Sequence, residues 1–307
     1  MSSEPTSRGE GAFDYDVAVV GGGPAGCSAA VFTARYGLET AVFDRGRSSL
    51  RRCAYLENYL GFPAGIDVET LYGLLHDHAE EAGCEVVSDL VESVEVTDDP
   101  EGFAVETQES GRVTARRVVA ATRYDGEYMR GLDDDAEMFV THDHGGEEHE
   151  HFDREYSERD GTTPVDGLYV ASPAEEADHQ AILAAGRGAR VGLTVVADAR
   201  RGDGYPDAVA RHYDWVRREA ELDDEWRSRD RWREWFDDRL PDEIDRGAER
   251  LDELREREID RRLDAYLSEE ERNRRTERGQ RRLLEHLDDE LVLEAAREIE
   301  SERGSTD

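Results

Sequence analysis

The residues best suited to chemistry stand near the start of the chain. Gly21, Gly23 and Gly26 fall in the pattern G-x-G-x-x-G, inside Gly21-Gly22-Gly23-Pro24-Ala25-Gly26. The first glycine of such a turn makes it tight. The second lets a diphosphate approach bare backbone, and the third lets helix and strand pack closely. The diphosphate then rests on a helix N-terminus, where N–H groups and the helix dipole attract it. Asp44 follows at the offset of a carboxylate that binds ribose hydroxyls. On this chemistry alone, FAD and NAD are both acceptable ligands.

A turn of this kind works only between a strand and a helix, and the flanking residues supply both. Tyr15 to Val20 is a short apolar, β-branched run. Cys27 to Tyr36 is alanine-rich with no breaker, and Gly37 closes it as a helix C-cap would. Thr40 to Phe43 is a second short strand that ends at Asp44. Strand, turn, helix and strand in this order make a βαβ unit.

Further along, Val68 to Gly83 reads as a helix with Leu71, Leu74, Leu75 and Ala79 on one face. Glu85 to Val96 reads as one strand, Phe103–Thr107 with Arg112–Arg116 as a hairpin, and Val118–Ala121 as another strand. Residues 124–166 are acidic and show little periodicity, so they read mostly as loop. Gly167 to Ala171 is strand-like. Gln180 to Asp198 reads as a helix whose glycines, at 186, 188 and 192, suit close packing against other backbone. From Pro206 the charge becomes dense and apolar residues fall at helical spacing. Trp232, Trp235, Phe236 and Leu240 mark one helix, stopped by Pro241, and the tryptophans (Trp215 and Trp226 included) read as helix core. Ser268 with Glu271 has the form of a capping box. Leu283, Leu284, Leu287, Leu291, Ala295 and Ile299 carry the last helical pattern.

The expected fold class is α/β: a Rossmann-like dinucleotide-binding domain, with a parallel sheet plus a β-meander, followed by an α-helical C-terminal appendage. The expected boundaries are a disordered start at 1–13, the dinucleotide-binding domain at 14–123 and 167–200, a connector at 124–166, and charged helices at 206–307.

Three stretches resemble the thioredoxin reductase family of flavoproteins, in its low-molecular-weight form. They are VVGGGPAGCSAAVFTARYGLETAVFD at 19–44, LENYLGFPAGIDVETLYGLLHDHAEEAGCEVV at 56–87, and GLYVASPAEEADHQAILAAGRGARVGLTVV at 167–196. The resemblance implies FAD, with Gly21, Gly23, Pro24, Ala25, Gly26 and Asp44 on its ADP half. It implies that Asn58 lies close to the flavin, that Ala121 and Thr122 close over the cofactor, and that Gln180 and Ala181 meet the isoalloxazine edge. The departures matter as much. The family's second glycine fingerprint, for NADPH, is missing, and the 43 residues of 124–166 are too few for a Rossmann domain. The family's redox-active C-x-x-C is absent, its A-T-G reads Ala121-Thr122-Arg123, and its G-D reads Ala171-Ser172-Pro173, leaving Ser172 as the polar substitute for the aspartate. The family's own mechanism is therefore not expected here.

Two weaker constellations stand beside the nucleotide turn. His142, His144, His149 and His151 lie among carboxylates and could bind a divalent metal; the bland reading, a solvated polar loop, is preferred, since zinc sites use tighter spacing. Cys53, next to Arg51 and Arg52, falls in the loop that the resemblance runs near the flavin, and is the one candidate for thiol chemistry. Cys27 and Cys84 read as packing.

Composition narrows the partners. The chain has 307 residues and a formal charge of −36, from 75 acidic residues and 39 basic ones, all arginine. Such a surface repels nucleic acid and anionic membranes. The acid is spread over segments that also show core periodicity, which reads as a folded, halophile-type protein adapted to concentrated salt, where screening shortens to roughly 3 Å at 1 M. Three cysteines without C-x-x-C spacing, a polar start and no apolar stretch of the roughly 20 residues needed to span a bilayer fit the cytoplasm. The expected function is FAD-dependent electron transfer from an external donor, a nicotinamide or a protein such as ferredoxin, to an unnamed acceptor. The alternative is a non-catalytic nucleotide-binding relic whose helical tail serves a partner or a second copy of the chain.

Overall fold

The computed structural model describes residues 13–123, 125–144, 147–172, 179–244 and 248–304. The chain forms two compact units, Met1–Val68 with Leu75–Ala199, and Glu69–Leu74 with Arg200–Asp307. The expected disordered start lies outside the described residues except for Phe13, which is buried.

The first unit is built on β1 (Tyr15–Val20), which is apolar because it is covered on both faces. Successive side chains of a strand point to opposite sides. Val17 and Val19 join Val42, Val119, Ala25, Ala29, Val191 and Val195 in one cluster. Ala18 and Val20 join Phe43, Val118 and Ala120 in another. Helix α1 (Pro24–Tyr36) ends at Gly37, whose φ of 104° is the left-handed cap expected of glycine. Strand β2 (Thr40–Phe43) runs parallel to β1. A 3-10 turn at Ser49–Arg52 and the short antiparallel pair β3 (Tyr55–Leu56) and β4 (Ile66–Asp67) lead to α2 (Val68–Glu81).

Strand β5 (Glu85–Val87) then adds parallel to β2. Strands β6 (Val91–Asp98), β7 (Glu101–Thr107) and β8 (Gly111–Ala120) form the antiparallel meander, and β8 returns parallel to β1. The sheet order is β5-β2-β1-β8-β7-β6, with Leu168–Val170 also paired to β8. The single strand expected at 85–96 is thus two. Asp89 breaks it by accepting the N–H groups of Leu90 at 2.7 Å, Glu109 at 3.2 Å and Ser110 at 2.7 Å. Conversely, the two strands expected at 112–116 and 118–121 are one. The Arg116-Arg117 pair does not interrupt β8, because Arg117 reaches Asp198 at 2.8 Å and Arg116 stacks 4.9 Å over the Phe13 ring.

The connector is also more ordered than a loop. It holds a 3-10 turn at Glu127–Met129, the short helix α3 (Asp135–Met138), and a hairpin of β9 (Phe139–His144) and β10 (Glu147–Phe152). Tyr128, Met129, Leu132, Met138 and Phe139 are buried against the Ala18 and Val20 face of the sheet. These residues sit at turns, at the end of a one-turn helix and at a strand start, so no period of 2 or 3.6 announces them. After β11 (Leu168–Val170), α4 (Ala181–Gly202) closes on α1. A Cβ on Gly188 would lie 2.0 Å from the Ala25 carbonyl oxygen, and one on Gly192 would lie 2.7 Å from that of Ala29. The two backbones touch, as the glycine spacing suggested.

The second unit is helical: α5 (Asp207–Ala210), α6 (Asp224–Arg227), α7 (Arg229–Asp237), α8 (Glu249–Asp264), α9 (Glu269–Leu284) and α10 (Asp289–Gly304). Its apolar core is Tyr205, Val209, Phe236, Leu240, Leu251 and Leu254. A buried ion pair accompanies it, Arg200 to Glu258 at 2.9 Å, with Arg200 stacked 4.0 Å from the Tyr205 ring centre. Arg262 bonds the other oxygen of Glu258 at 2.8 Å and lies 3.9 Å from the Trp235 ring centre. Trp232 is buried as expected, but Trp215 is 61% exposed and is not core. Ser268 caps α9 by accepting the Glu271 N–H at 3.2 Å. The helix expected to run from Leu283 to Ile299 breaks before α10. There the Asp288 side chain accepts the N–H groups of Glu290 at 2.9 Å and Leu291 at 3.1 Å. Among the described residues, no helix is long and apolar enough to cross a membrane.

Candidate functional site

The glycine turn has the geometry its chemistry needs. Gly21 has φ 112°, and a Cβ there would meet the Ala121 carbonyl oxygen at 2.7 Å. A Cβ on Gly26 would lie 1.7 Å from the Gly21 carbonyl oxygen, so only glycine lets α1 start so close to β1. Gly23 faces the open side, where its nearest neighbour would be the Ser48 hydroxyl at 3.2 Å. It is the N-cap of α1 and no side chain caps that end, while Pro24 occupies the first helical turn. Proline has no N–H to leave unmade there, and the remaining first-turn N–H groups suit an anion.

Asp44 closes β2 at the expected place, with its carboxylate 92% shielded and already engaged. One oxygen accepts the Gly46 N–H at 3.0 Å, and the other lies 3.3 Å from His76 Nε2. The same His76 nitrogen is 3.0 Å from the Gly22 carbonyl oxygen. The hydrogen bond to Asp44 raises the His76 pKa above its usual value, outweighing the burial that would lower it. His76 thus ties α2 to both the turn and the carboxylate.

Two adjoining clefts open over this turn. The first, about 600 Å³, runs past Gly21–Gly23 to Asp44, Arg45 and Asp125. The second, about 790 Å³, runs past Pro24 and Ala25 to Cys53, Gln180 and Ala181. They share Gly23, Ser48, Ser49, Ala121 and Arg123. Arg123 holds a φ of 59°, unusual for a residue other than glycine. Its N–H donates to the Ser172 hydroxyl at 3.0 Å and its guanidinium donates to the Ser49 hydroxyl at 3.1 Å. Ser172, the expected substitute for the missing aspartate, is therefore buried and bonded to the chain itself. Thr122 lines the first cleft, donates to the Asp125 carbonyl and lies 3.1 Å from the Tyr128 hydroxyl.

Asn58 donates to the Gln180 side chain at 2.8 Å, so two expected flavin contacts 122 positions apart do meet. Gln180 lines the second cleft, and Asn58 is outside both linings. Cys53 is exposed on the second cleft. Cys27 is buried, donates to the Gly22 carbonyl at 3.2 Å, and has its thiol pKa driven far up by burial; burial likewise pushes Cys84 up to about 12. Neither is a nucleophile near neutral pH. On the connector hairpin, His142 stands opposite His149 in register, but the side chains of His142, His144 and His149 lie outside the described residues. Among the described residues no group of three metal-binding side chains forms, and His151 is half-buried.

Sequence reasoning missed His76, the Ser48-Ser49 pair and the position of Arg123. His76 gave no signal, because its partners come from two other elements. Arg123 did give one: a large cation directly after a strand that ends in Ala-Thr over a glycine turn.

Fold and glycine turn together define a Rossmann-like unit of the kind that binds dinucleotides. Residues 15–132 match the model of the pyridine nucleotide-disulphide oxidoreductase family. The NADPH-dependent thioredoxin reductase 3 of Arabidopsis thaliana is 33% identical over 127 residues, which are 39% of this chain and 23% of that protein. The thioredoxin reductase of Aquifex aeolicus is 35% identical over 88 residues, 28% of this chain and 27% of that one. A solved thioredoxin reductase from Gloeobacter violaceus superposes with a TM-score of 0.50 at 18% identity, covering 66% of this chain and 98% of its own, a likeness of fold. Residues 15–132 are thus similar in sequence to this family, and the chain spans about a quarter of the length of these two curated relatives.

Proposed function

We propose that this protein is an FAD-binding oxidoreductase that moves electrons between an external donor and an acceptor by a route other than a C-x-x-C disulfide. The observation that carries this reading is the pair of adjoining clefts on the uncapped start of α1. Their linings run continuously from Asp44 to Gln180, which suits a cofactor with two halves. Gly21, Gly23, Pro24, Ala25 and Gly26 would hold the diphosphate, and Asp44 the ribose hydroxyls beside His76. Cys53, Gln180 and Ala181 would line the flavin half. When bound, the flavin supplies hydride or single-electron chemistry, and the chain binds, orients and shields it. A protein donor such as ferredoxin fits a chain without a second nucleotide fingerprint. We also read the acid excess as adaptation to concentrated salt in a cytoplasm.

One observation favours a second reading, a nucleotide-binding relic without turnover. The Ser172 hydroxyl is buried, uncharged and already accepts the Arg123 N–H, which leaves the ribityl region with less to bind than an aspartate would offer. The visible spectrum of the full chain purified in concentrated KCl separates the two. Stoichiometric yellow FAD that bleaches with a reduced donor, NADPH or ferredoxin, supports the oxidoreductase. FAD that no donor reduces supports the relic. A colourless chain that takes up no added FAD overturns flavin binding.

A further inference from the structure

We propose that α9 and α10 dock onto α9 and α10 of a second copy of this chain, the two pairs closing as a four-helix bundle about a two-fold axis. Each helix runs for 16 residues, and among the described residues neither buries a side chain. In proteins most helical stability comes from packing an apolar face. Here that face is present and uncovered. Leu283, Leu284, Leu287, Leu291 and Ile299 are 48–65% exposed. Apolar residues scattered singly over a surface need no explanation, but five of them between 283 and 299 do.

The spacing gives this face a seam. In α9 the exposed Asn273, Thr276, Gln280 and Leu283 carry no charge and recur at intervals of three and four, the a/d pattern of helices that pack side by side. Leu287 continues the pattern past the helix end, and Val292, Ala295 and Ile299 repeat it in α10. The leucines supply apolar area, and the polar members fix the register.

Charge names the occupant. In a chain of −36, α9 has six arginines against four glutamates, while α10 has two arginines against six acidic residues. Arg274 and Arg281 flank the α9 seam and are 77% and 73% exposed. Glu294 and Glu298 flank the α10 seam and are exposed as well. A two-fold partner sets α9 against α10 twice, so basic meets acidic at both contacts and the surface is self-complementary. A different acidic protein would suit α9 and be repelled by α10. In concentrated salt the repulsion between two acidic chains is screened beyond roughly 3 Å at 1 M, while apolar contact and touching ion pairs persist. Both helices lie outside residues 15–132, so this pairing belongs to the helical unit and not to the stretch that matches the oxidoreductase family.

The test is sedimentation equilibrium of the full chain in KCl over a range of micromolar concentrations. Wild type should sediment at twice the chain mass of 34.7 kDa. Leu287→Gln with Leu291→Gln removes four leucines from a two-fold interface, and should raise the dissociation constant by about a hundredfold or more. Both leucines are exposed in the single chain, so the far-UV circular dichroism of this variant should match wild type. Arg274→Glu with Arg281→Glu should give a monomer, and so should Glu294→Arg with Glu298→Arg. An equimolar mixture of these two charge variants should recover the dimer, which misfolded chains could not do. A wild type that is monomeric across the range overturns the proposal. A dimer that persists unchanged in the Leu287 and Leu291 variant moves the interface off this face and overturns it too. Charge variants that stay apart when mixed overturn the pairing of α9 with α10.

Discussion

The two units use the same arginine-rich, acidic composition in opposite ways. In the first, the core is aliphatic: Val17, Val19, Val42, Val119, Val191 and Val195 fill one side of the sheet. Arg117 pairs with Asp198 near its rim, and the charges it does bury, Asp44, Asp89 and Arg187, are hydrogen-bonded within it. In the second, arginine is itself core material. Arg200 is fully buried against Tyr205 and Glu258, and Arg262 lies over Trp232 and Trp235 at 5.3 and 3.9 Å. A planar, weakly hydrated guanidinium can stack on aromatic rings while its edge bonds a carboxylate, so it can fill space that an aliphatic residue would otherwise fill. The lesson is that net charge does not tell which kind of core a segment builds. Strand periodicity does so for the first unit, and aromatic–arginine spacing does so for the second.

The sharpest way to break that contrast is to remove Glu258. Glu258→Ala leaves Arg200 buried without its carboxylate, and should destabilise the helical unit by about 3–5 kcal/mol. Replacing both partners together, Arg200→Met with Glu258→Leu, should recover most of the loss. Chemical denaturation in KCl, followed through tryptophan fluorescence, reads this directly, since all four tryptophans are at 215–235. A double variant as unstable as Glu258→Ala would show that the aliphatic replacement cannot fill the site.

The matching probe of the first unit is Gly188→Ala. A Cβ 2.0 Å from the Ala25 carbonyl must push α4 off α1, with a cost on the order of 1–3 kcal/mol. Because α1 carries the glycine turn, nucleotide affinity should fall together with stability. Gly186→Ala is the control, since a Cβ there meets nothing within 4 Å. It should be neutral or slightly stabilising.

Acid should strike the second unit through His212. Burial, with Arg261 and Arg200 nearby, lowers its pKa to about 4 from 6.5. The unfolded chain therefore binds a proton between pH 6.5 and 4 that the folded chain refuses. Stability from this group is present above pH 6.5 and is lost as pH falls toward 4, by on the order of 2 kcal/mol. His212→Gln should flatten that part of the pH–stability curve; an unchanged slope would assign it to other groups.

Much of the first unit was legible in sequence because its signals are local. Val17–Val20 and the alanines of α1 announce themselves, and Gly21, Gly23 and Gly26 sit where the turn needs them. What was not legible depended on distant partners. The break at Asp89 requires N–H groups from Glu109 and Ser110, and Arg123 is held by serines at 49 and 172. The connector's cover over the sheet is set by residues at turns and at the ends of very short elements, which carry no period. In the second unit the N-cap at Ser268 was legible for the same local reason, while the Glu271 carboxylate pairs with Arg274 and Arg275. Removing it isolates one bond: Ser268→Ala should cost about 1 kcal/mol. Since α9 buries no residue, faster amide exchange should be confined to its first turns.

The smallest expected effect lies on the nucleotide side, at His76. Its folded pKa is raised by the Asp44 hydrogen bond, so the folded chain keeps this proton to higher pH than the unfolded chain does. The stability it contributes is fully present below the usual imidazole pKa of 6.5 and is lost as pH rises through the raised value. With the side chain 24% exposed, solvent screening keeps this below about 1 kcal/mol. His76→Asn keeps a donor but cannot titrate. It should remove the alkaline decline in midpoint, and leave adenosine affinity nearly independent of pH between 6 and 8, roughly the window where imidazole titrates. A wild-type affinity that is already flat over that window would separate His76 from ribose recognition, and would restrict it to holding α2 against the glycine turn.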